Sequence, residues 1–137
     1  MPKALIVDDE EKVRKTYRTL LDTEGFQEIY EAQNGEDAGL QLIQHGDIDL
    51  VLLDIRMPIV NGMVLFDLIR LNNPHAKIVV TSVYPVADQK RVIDTADAYH
   101  DKSEGLEALV SKVQPLMPKA PPRWAEDSLP LSGKKRK

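Results

Sequence analysis

Asp54 follows the apolar run Leu50-Val51-Leu52-Leu53 and precedes Ile55-Arg56-Met57-Pro58-Ile59-Val60-Asn61-Gly62, a pattern that displays a carboxylate at the end of a buried strand. Asp8 and Asp9 close a second apolar strand, Ala4-Leu5-Ile6-Val7, and Lys102 follows a third strand segment near the C-terminal end. Acids gathered around one point repel: two carboxylates about 4 Å apart cost about 4 kcal/mol at an effective dielectric of about 20. A divalent cation removes that repulsion. Carboxylates without nearby cysteine or histidine select a hard ion, and Mg²⁺ combines one or two of them with waters and phosphate oxygens. Such a site suits phosphoryl transfer. Asp54 is the expected nucleophile, and the Lys102 ammonium, the Thr81 hydroxyl and the metal can cover the equatorial oxygens of a loose transition state. Taken singly the residues say less, since Asp8-Asp9 could cap a helix and Asp54 could belong to a turn with Pro58 and Asn61-Gly62.

The elements that must hold these groups can be read from the apolar pattern. Strand-like runs at 4–8, 28–32, 49–54, 77–82 and 97–101 alternate with four helical patterns, and a fifth helix follows the last strand. The first helix carries Val13, Tyr17, Leu20 and Leu21 on one face and stops at Gly25. Asn34 can cap the second, with Gly46 as its stop. The third presents Val64, Leu65, Leu68 and Ile69 and ends near Asn72-Asn73-Pro74. The fourth covers roughly 86–94 and is the least amphipathic, while the fifth presents Leu106, Leu109, Val110 and Val113. The first, third and fourth strands are continuously apolar, as in strands covered by helices on both faces, so an α/β doubly wound parallel sheet is expected. In such sheets ligands sit outside the carboxyl ends of the strands, where Asp8, Asp9, Asp54, Thr81 and Lys102 all fall.

The 137 residues are one domain's worth. With no cysteine there is no disulfide or thiolate chemistry, and with no long apolar segment there is no expected signal peptide or membrane span, so a cytoplasmic protein is expected. The net charge of −4 conceals an asymmetry: residues 1–114 carry twelve basic and twenty acidic side chains, and residues 115–137 carry six and two. An acidic body argues against a nucleic-acid surface, so no direct DNA binding is expected. Five prolines between 115 and 130 rule out a continuing helix, and Trp124 stands among them before the basic end Lys134-Lys135-Arg136-Lys137. His45, His75 and His100 lack ligand spacing and are expected at the surface or in loops.

Val7-Asp8-Asp9-Glu10, Asp54 with Met57-Pro58 and Gly62, Thr81-Ser82 and Asp101-Lys102 together resemble the receiver domain of two-component response regulators, over about residues 3–116. The resemblance implies a flavodoxin-like fold, with five helices around a five-stranded sheet in the order 2-1-3-4-5. It implies Asp54 as phosphoacceptor and Mg²⁺ bound directly by Asp9, Asp54 and the Arg56 carbonyl, with Asp8 acting through water. Lys102 would pair with the phosphoryl group. Thr81 would move its hydroxyl to a phosphoryl oxygen and Tyr99 would turn inward behind it, altering the surface of helix four, strand five and helix five. Arg56 and Val83 occupy positions that tune loss of the phosphoryl group to water. Ser103 departs from the proline usual after the lysine, and can instead cap the fifth helix.

The expected organisation is a stand-alone receiver at 1–116 followed by a proline-rich, then basic, tail at 117–137 without an output domain. Such a protein is a signalling phosphoacceptor rather than an enzyme, catalysing only its own phosphorylation and dephosphorylation. Its partners would be a histidine kinase or phosphotransfer protein, a downstream protein, and a second copy if it dimerises through the helix-four to helix-five face. Two rivals remain. One is a receiver-like binding module independent of phosphorylation. The other is an aspartate-nucleophile phosphohydrolase, opposed by Arg56 where those enzymes place an acid-base aspartate.

Overall fold

The computed structural model describes residues 2–55 and 62–117, and the structural statements concern these; Arg56, Pro58, Asn61 and the tail with Trp124 lie outside them. Five strands, β1 (Lys3–Val7), β2 (Glu28–Ala32), β3 (Leu50–Asp54), β4 (Lys77–Ser82) and β5 (Ala98–Asp101), form a parallel sheet in the order β2-β1-β3-β4-β5. The helices are α1 (Glu11–Thr23), α2 (Gly35–Gln44), α3 (Gly62–Asn72), α4 (Val86–Val92) and α5 (Leu106–Val113).

Alternate residues of the inner strands point to opposite sides of the sheet and both sides are covered. Leu5, Val7, Val51, Leu53, Ile78 and Val80 pack with Leu42 of α2 and with Leu65 and Ile69 of α3. Ala4, Ile6, Leu50, Leu52 and Val79 pack with Tyr17, Leu20 and Leu21 of α1 and with Leu109 and Val113 of α5. This two-sided burial is why β1, β3 and β4 are continuously apolar; each fully buried leucine or isoleucine contributes roughly 1.5–3 kcal/mol.

Register brings the strand ends level. Val7 is paired with Leu53, Asp54 with Thr81, and Ser82 with Asp101, so the chemistry-bearing residues share one edge of the sheet. Gly25 adopts φ 101° just beyond α1, a backbone conformation natural to glycine, and Asn34 caps α2 by accepting from the Asp37 amide at 2.8 Å.

Several local expectations need correction. Gly46 does not supply the turn after α2; the left-handed residue there is Asp47 at φ 62°, since aspartate tolerates that region. On α3, Val64 and Leu68 are 49% and 38% exposed, because Phe66 takes the inward place beside Leu65 and Ile69. α4 ends at Val92, and its buried side chain is the polar Gln89, whose Nε2 donates to the Tyr84 and His100 carbonyls, both at 2.8 Å. Ser103 does not cap α5, whose N-cap is Gly105 at φ 88°. The Ser103 amide and hydroxyl both donate to Asp101 Oδ1, at 2.9 and 2.7 Å, fixing a 3-10 turn over Lys102–Glu104.

His100 is not a surface residue either: it lies on β5 and is 1% exposed. Burial, with Lys112 and Lys102 nearby, pulls its pKa below the ordinary value against the opposing pull of Glu104 and Asp101. The folded protein therefore favours the neutral ring, and this contribution to stability is present above the unfolded-state pKa of about 6.5 and lost as pH falls below it. Denaturant titrations from pH 7 to 5 are expected to show the wild type losing up to about 1.4 kcal/mol per pH unit more than His100→Phe, and parallel pH profiles would contradict this.

Candidate functional site

The loop after β1 places Asp8 inside the protein and Asp9 and Glu10 at its surface. Asp8 Oδ1 accepts from the Glu10 amide at 2.9 Å, and Arg14 Nη1 donates to the Asp8 carbonyl at 2.8 Å while Arg14 Nε bonds Glu31 on β2. The loop is thus tied to α1 and to the neighbouring strand. The helix starts after Glu10 without a side-chain cap, so capping does not account for the two aspartates.

Asp54 is buried at the end of β3. Lys102, from the 3-10 turn after β5, reaches across so that its Nζ lies 2.7 Å from Asp8 Oδ2 and 3.3 Å from Asp54 Oδ2. Burial alone would lower the Lys102 pKa, but the hydrogen bond to Asp8 and the charges of Asp54 and Asp8 outweigh it and hold the ammonium above its ordinary value. Asp9, Glu10, Asp54, Val83 and Lys102 line the open pocket above this contact.

The acids outnumber the lysine. Carboxylate oxygens of Asp8, Asp9 and Glu10 lie within 4.8 Å of one another, a geometry able to hold a metal ion. The donor set is entirely oxygen, and the two buried carboxylates share one ammonium, so a hard divalent cation fits both the chemistry and the charge.

Thr81 sits opposite Asp54 in the β3–β4 register, and its buried hydroxyl makes no hydrogen bond of standard geometry. The Tyr17 phenol is close enough to act on it as a weak hydrogen-bonding partner. Tyr17 itself was expected merely as part of the α1 apolar stripe, yet burial pushes its pKa up to about 12, with Lys102, Asp8 and Asp54 close enough to act on it. Its position eight residues after Asp9, a hydroxyl on the sheet-facing stripe, was the available signal. Glu10 was likewise not singled out, although its adjacency to Asp8-Asp9 gave the cue.

Tyr99 lies apart from this cluster, half-buried on β5. Its hydroxyl donates to the Ile93 carbonyl at 2.7 Å and accepts from the Ala96 amide at 3.1 Å, which fastens β5 to the segment following α4. Arg56 lies outside the described residues.

Replacing Lys102 by methionine leaves Asp8 and Asp54 buried without their shared ammonium. Chemical denaturation in metal-free buffer is expected to show a loss of roughly 3–5 kcal/mol, and a change below about 1 kcal/mol would show that the contact does not stabilise the site.

Comparison with known proteins places these features in a family. Residues 4–114 match the response regulator receiver domain. Response regulator GacA of Pseudomonas aeruginosa is 34% identical over 121 residues, which cover 83% of this chain and 54% of that protein. BvgA of Bordetella pertussis is 32% identical over 117 residues, 84% of this chain and 56% of that one. The chain thus spans about half the length of the curated relatives it matches. Response regulator protein TrrA of Thermotoga maritima, solved in complex with Mg²⁺-BeF, superposes with a TM-score of 0.73 at 37% identity, over 85% of this chain and 99% of that one. Chemotaxis protein CheY4 of Vibrio cholerae gives 0.75 at 22% identity over 85% and 98%, a likeness of fold. The chain belongs to the response regulator receiver domain family of two-component systems, and its sheet order is the one that resemblance implied.

Proposed function

We propose that Asp54 accepts a phosphoryl group from a histidine kinase or phosphotransfer protein in a Mg²⁺-dependent step, and that the change is passed to a protein partner through the α4–β5–α5 face. The observation that carries this reading is the Lys102 ammonium bridging Asp8 and Asp54 beside an exposed acidic pair. An oxygen of Asp54 forms the new P–O bond as the bond from phosphorus to the donor breaks. Lys102 is placed to follow the phosphoryl oxygens, and the buried Thr81 hydroxyl, which makes no hydrogen bond of standard geometry, has a donor to offer. Asp9, Asp54 and the Arg56 carbonyl would hold Mg²⁺, with Asp8 acting through water. When bound, the metal supplies neutralisation of the acidic cluster and of the incoming phosphoryl charge. That response regulator protein TrrA was solved in complex with Mg²⁺-BeF supports the use of Mg²⁺.

Residues 1–116 form the receiver in this reading, with 117–137 following it, and the receiver's own chemistry is its phosphorylation and dephosphorylation, placed in the cytoplasm. No described helix is long and apolar enough to cross a membrane. The acidic body favours a protein as the receiver's contact over DNA, and the α4–β5–α5 face is also the surface for any homodimer.

Intact-mass analysis after incubation with acetyl phosphate tests the reading. Wild type with Mg²⁺ is expected to gain one phosphoryl group, with no adduct in Asp54→Asn or without the metal. A folded, metal-binding wild type that gains nothing would instead favour a phosphorylation-independent binding module.

A further inference from the structure

Away from the acidic site, α1 and α5 enclose a mainly apolar groove on the surface. Its floor and walls include Leu20, Thr23, Leu106 and Val110, and Glu24 and Glu107 stand among them. Leu106 is 45% exposed, so the groove leaves a large apolar side chain uncovered. Where the described chain leaves the domain is therefore informative. After α5, a 3-10 turn over Gln114–Leu116 brings the chain against the end of α1: Gln114 Nε2 donates to Glu24 Oε1 at 2.9 Å, and Met117 Cε lies 3.7 Å from where a Cβ on Gly25 would stand. The chain emerges beside Glu24, at one end of the groove.

The next residues are Pro118-Lys119-Ala120-Pro121-Pro122-Arg123-Trp124. Proline-rich chain advances about 3.1 Å per residue, so the seven steps from Met117 to Trp124 reach about 22 Å. The stretch of α1 from Glu24 back to Thr16 is about 12 Å long at helical rise. Trp124 can thus reach any point of the groove with length left for a reversal. The prolines also limit the freedom lost on docking, a tryptophan is the side chain that gains most from an apolar slot, and Lys119 and Arg123 are opposite in charge to Glu24 and Glu107. A body of net −8 facing a tail of net +4 acts in the same sense.

We propose that the segment 118–124 folds back into the α1–α5 groove of its own domain, with Trp124 as the anchor. The docked segment covers Leu106 and Val110 and competes with any partner for the α1–α5 face. Because the attachment point is fixed at Met117, docking is intramolecular and independent of protein concentration.

Trp124 is the only tryptophan in the chain, so its fluorescence reports on the proposal directly. In the full chain its emission is expected to be blue-shifted and protected from acrylamide relative to the urea-unfolded protein, equally so across a hundredfold dilution. Leu106→Lys with Thr23→Lys, both at exposed positions, should move it to the solvent-exposed value while far-UV circular dichroism stays unchanged. Nuclear Overhauser contacts from the Trp124 indole to the Val110 and Thr23 methyls provide a readout that needs no variant. An emission already at the exposed value in wild type, protection that disappears on dilution as for docking into a second copy, or protection unaffected by the groove substitutions would each overturn the proposal.

Discussion

Lys102 Nζ lies 2.7 Å from one buried carboxylate and 3.3 Å from another, and the placement of the surrounding elements depends on that contact. Three separate strands must end level for Asp8, Asp54 and Lys102 to meet, and a register slip of one residue would turn every side chain of a strand to the opposite face. The continuous burial of Leu5–Val7, Val51–Leu53 and Ile78–Val80 fixes that register from both sides of the sheet. The hydrophobic core thus supplies the force that holds like charges together. One ammonium compensates two buried acids only in part, and Asp9 and Glu10 add further negative charge at the mouth. A site held in this condition has reason to bind a cation and, with its help, a phosphoryl group.

How such binding reaches the surface depends on differences between two conformations, since a ligand shifts an equilibrium only by what it gains in one state over the other. About 3 kcal/mol of differential interaction shifts the ratio more than a hundredfold. The bonds at stake near β4 and β5 are few and polar. Thr81 is buried opposite Asp54 with a hydroxyl that makes no hydrogen bond of standard geometry, so turning it toward a phosphoryl oxygen, as the proposed function requires, would break none. Tyr99 is different: its hydroxyl serves both Ile93 and Ala96, and turning the ring would forfeit two hydrogen bonds, each worth about 1 kcal/mol. Gln89 ties α4 to the Tyr84 and His100 carbonyls. The short α4 is anchored by hydrogen bonds through a buried glutamine instead of an apolar stripe.

Much of this is legible in the amino-acid sequence. The two-faced strands follow from uninterrupted valine, isoleucine and leucine, and the meeting of Asp8, Asp54 and Lys102 follows from their places at strand ends. What escaped were polar residues whose burial depends on tertiary neighbours. Gln89 and His100 look like ordinary surface types, and Tyr17 reads as a core aromatic of the α1 stripe, with its spacing from Asp9 the one local cue that its hydroxyl lies within electrostatic reach of the site. Ser103 departs from the capping role for a related reason: Gly105 takes the capping position, while Asp101 two residues before Ser103 accepts both its amide and hydroxyl protons. Such pairings are settled by which acceptor the folded turn brings nearest.

Crowded carboxylates that Lys102 compensates only in part should bind a divalent cation. Thermal unfolding of wild type and Asp9→Asn over a Mg²⁺ titration tests it most directly. Mg²⁺ is expected to raise the wild-type midpoint with the logarithm of its concentration above the dissociation constant, the stabilisation reaching about 2.7 kcal/mol at a hundred times that constant, and Asp9→Asn to lose most of that response. A wild-type midpoint indifferent to Mg²⁺, or an equal response in the two proteins, would contradict it.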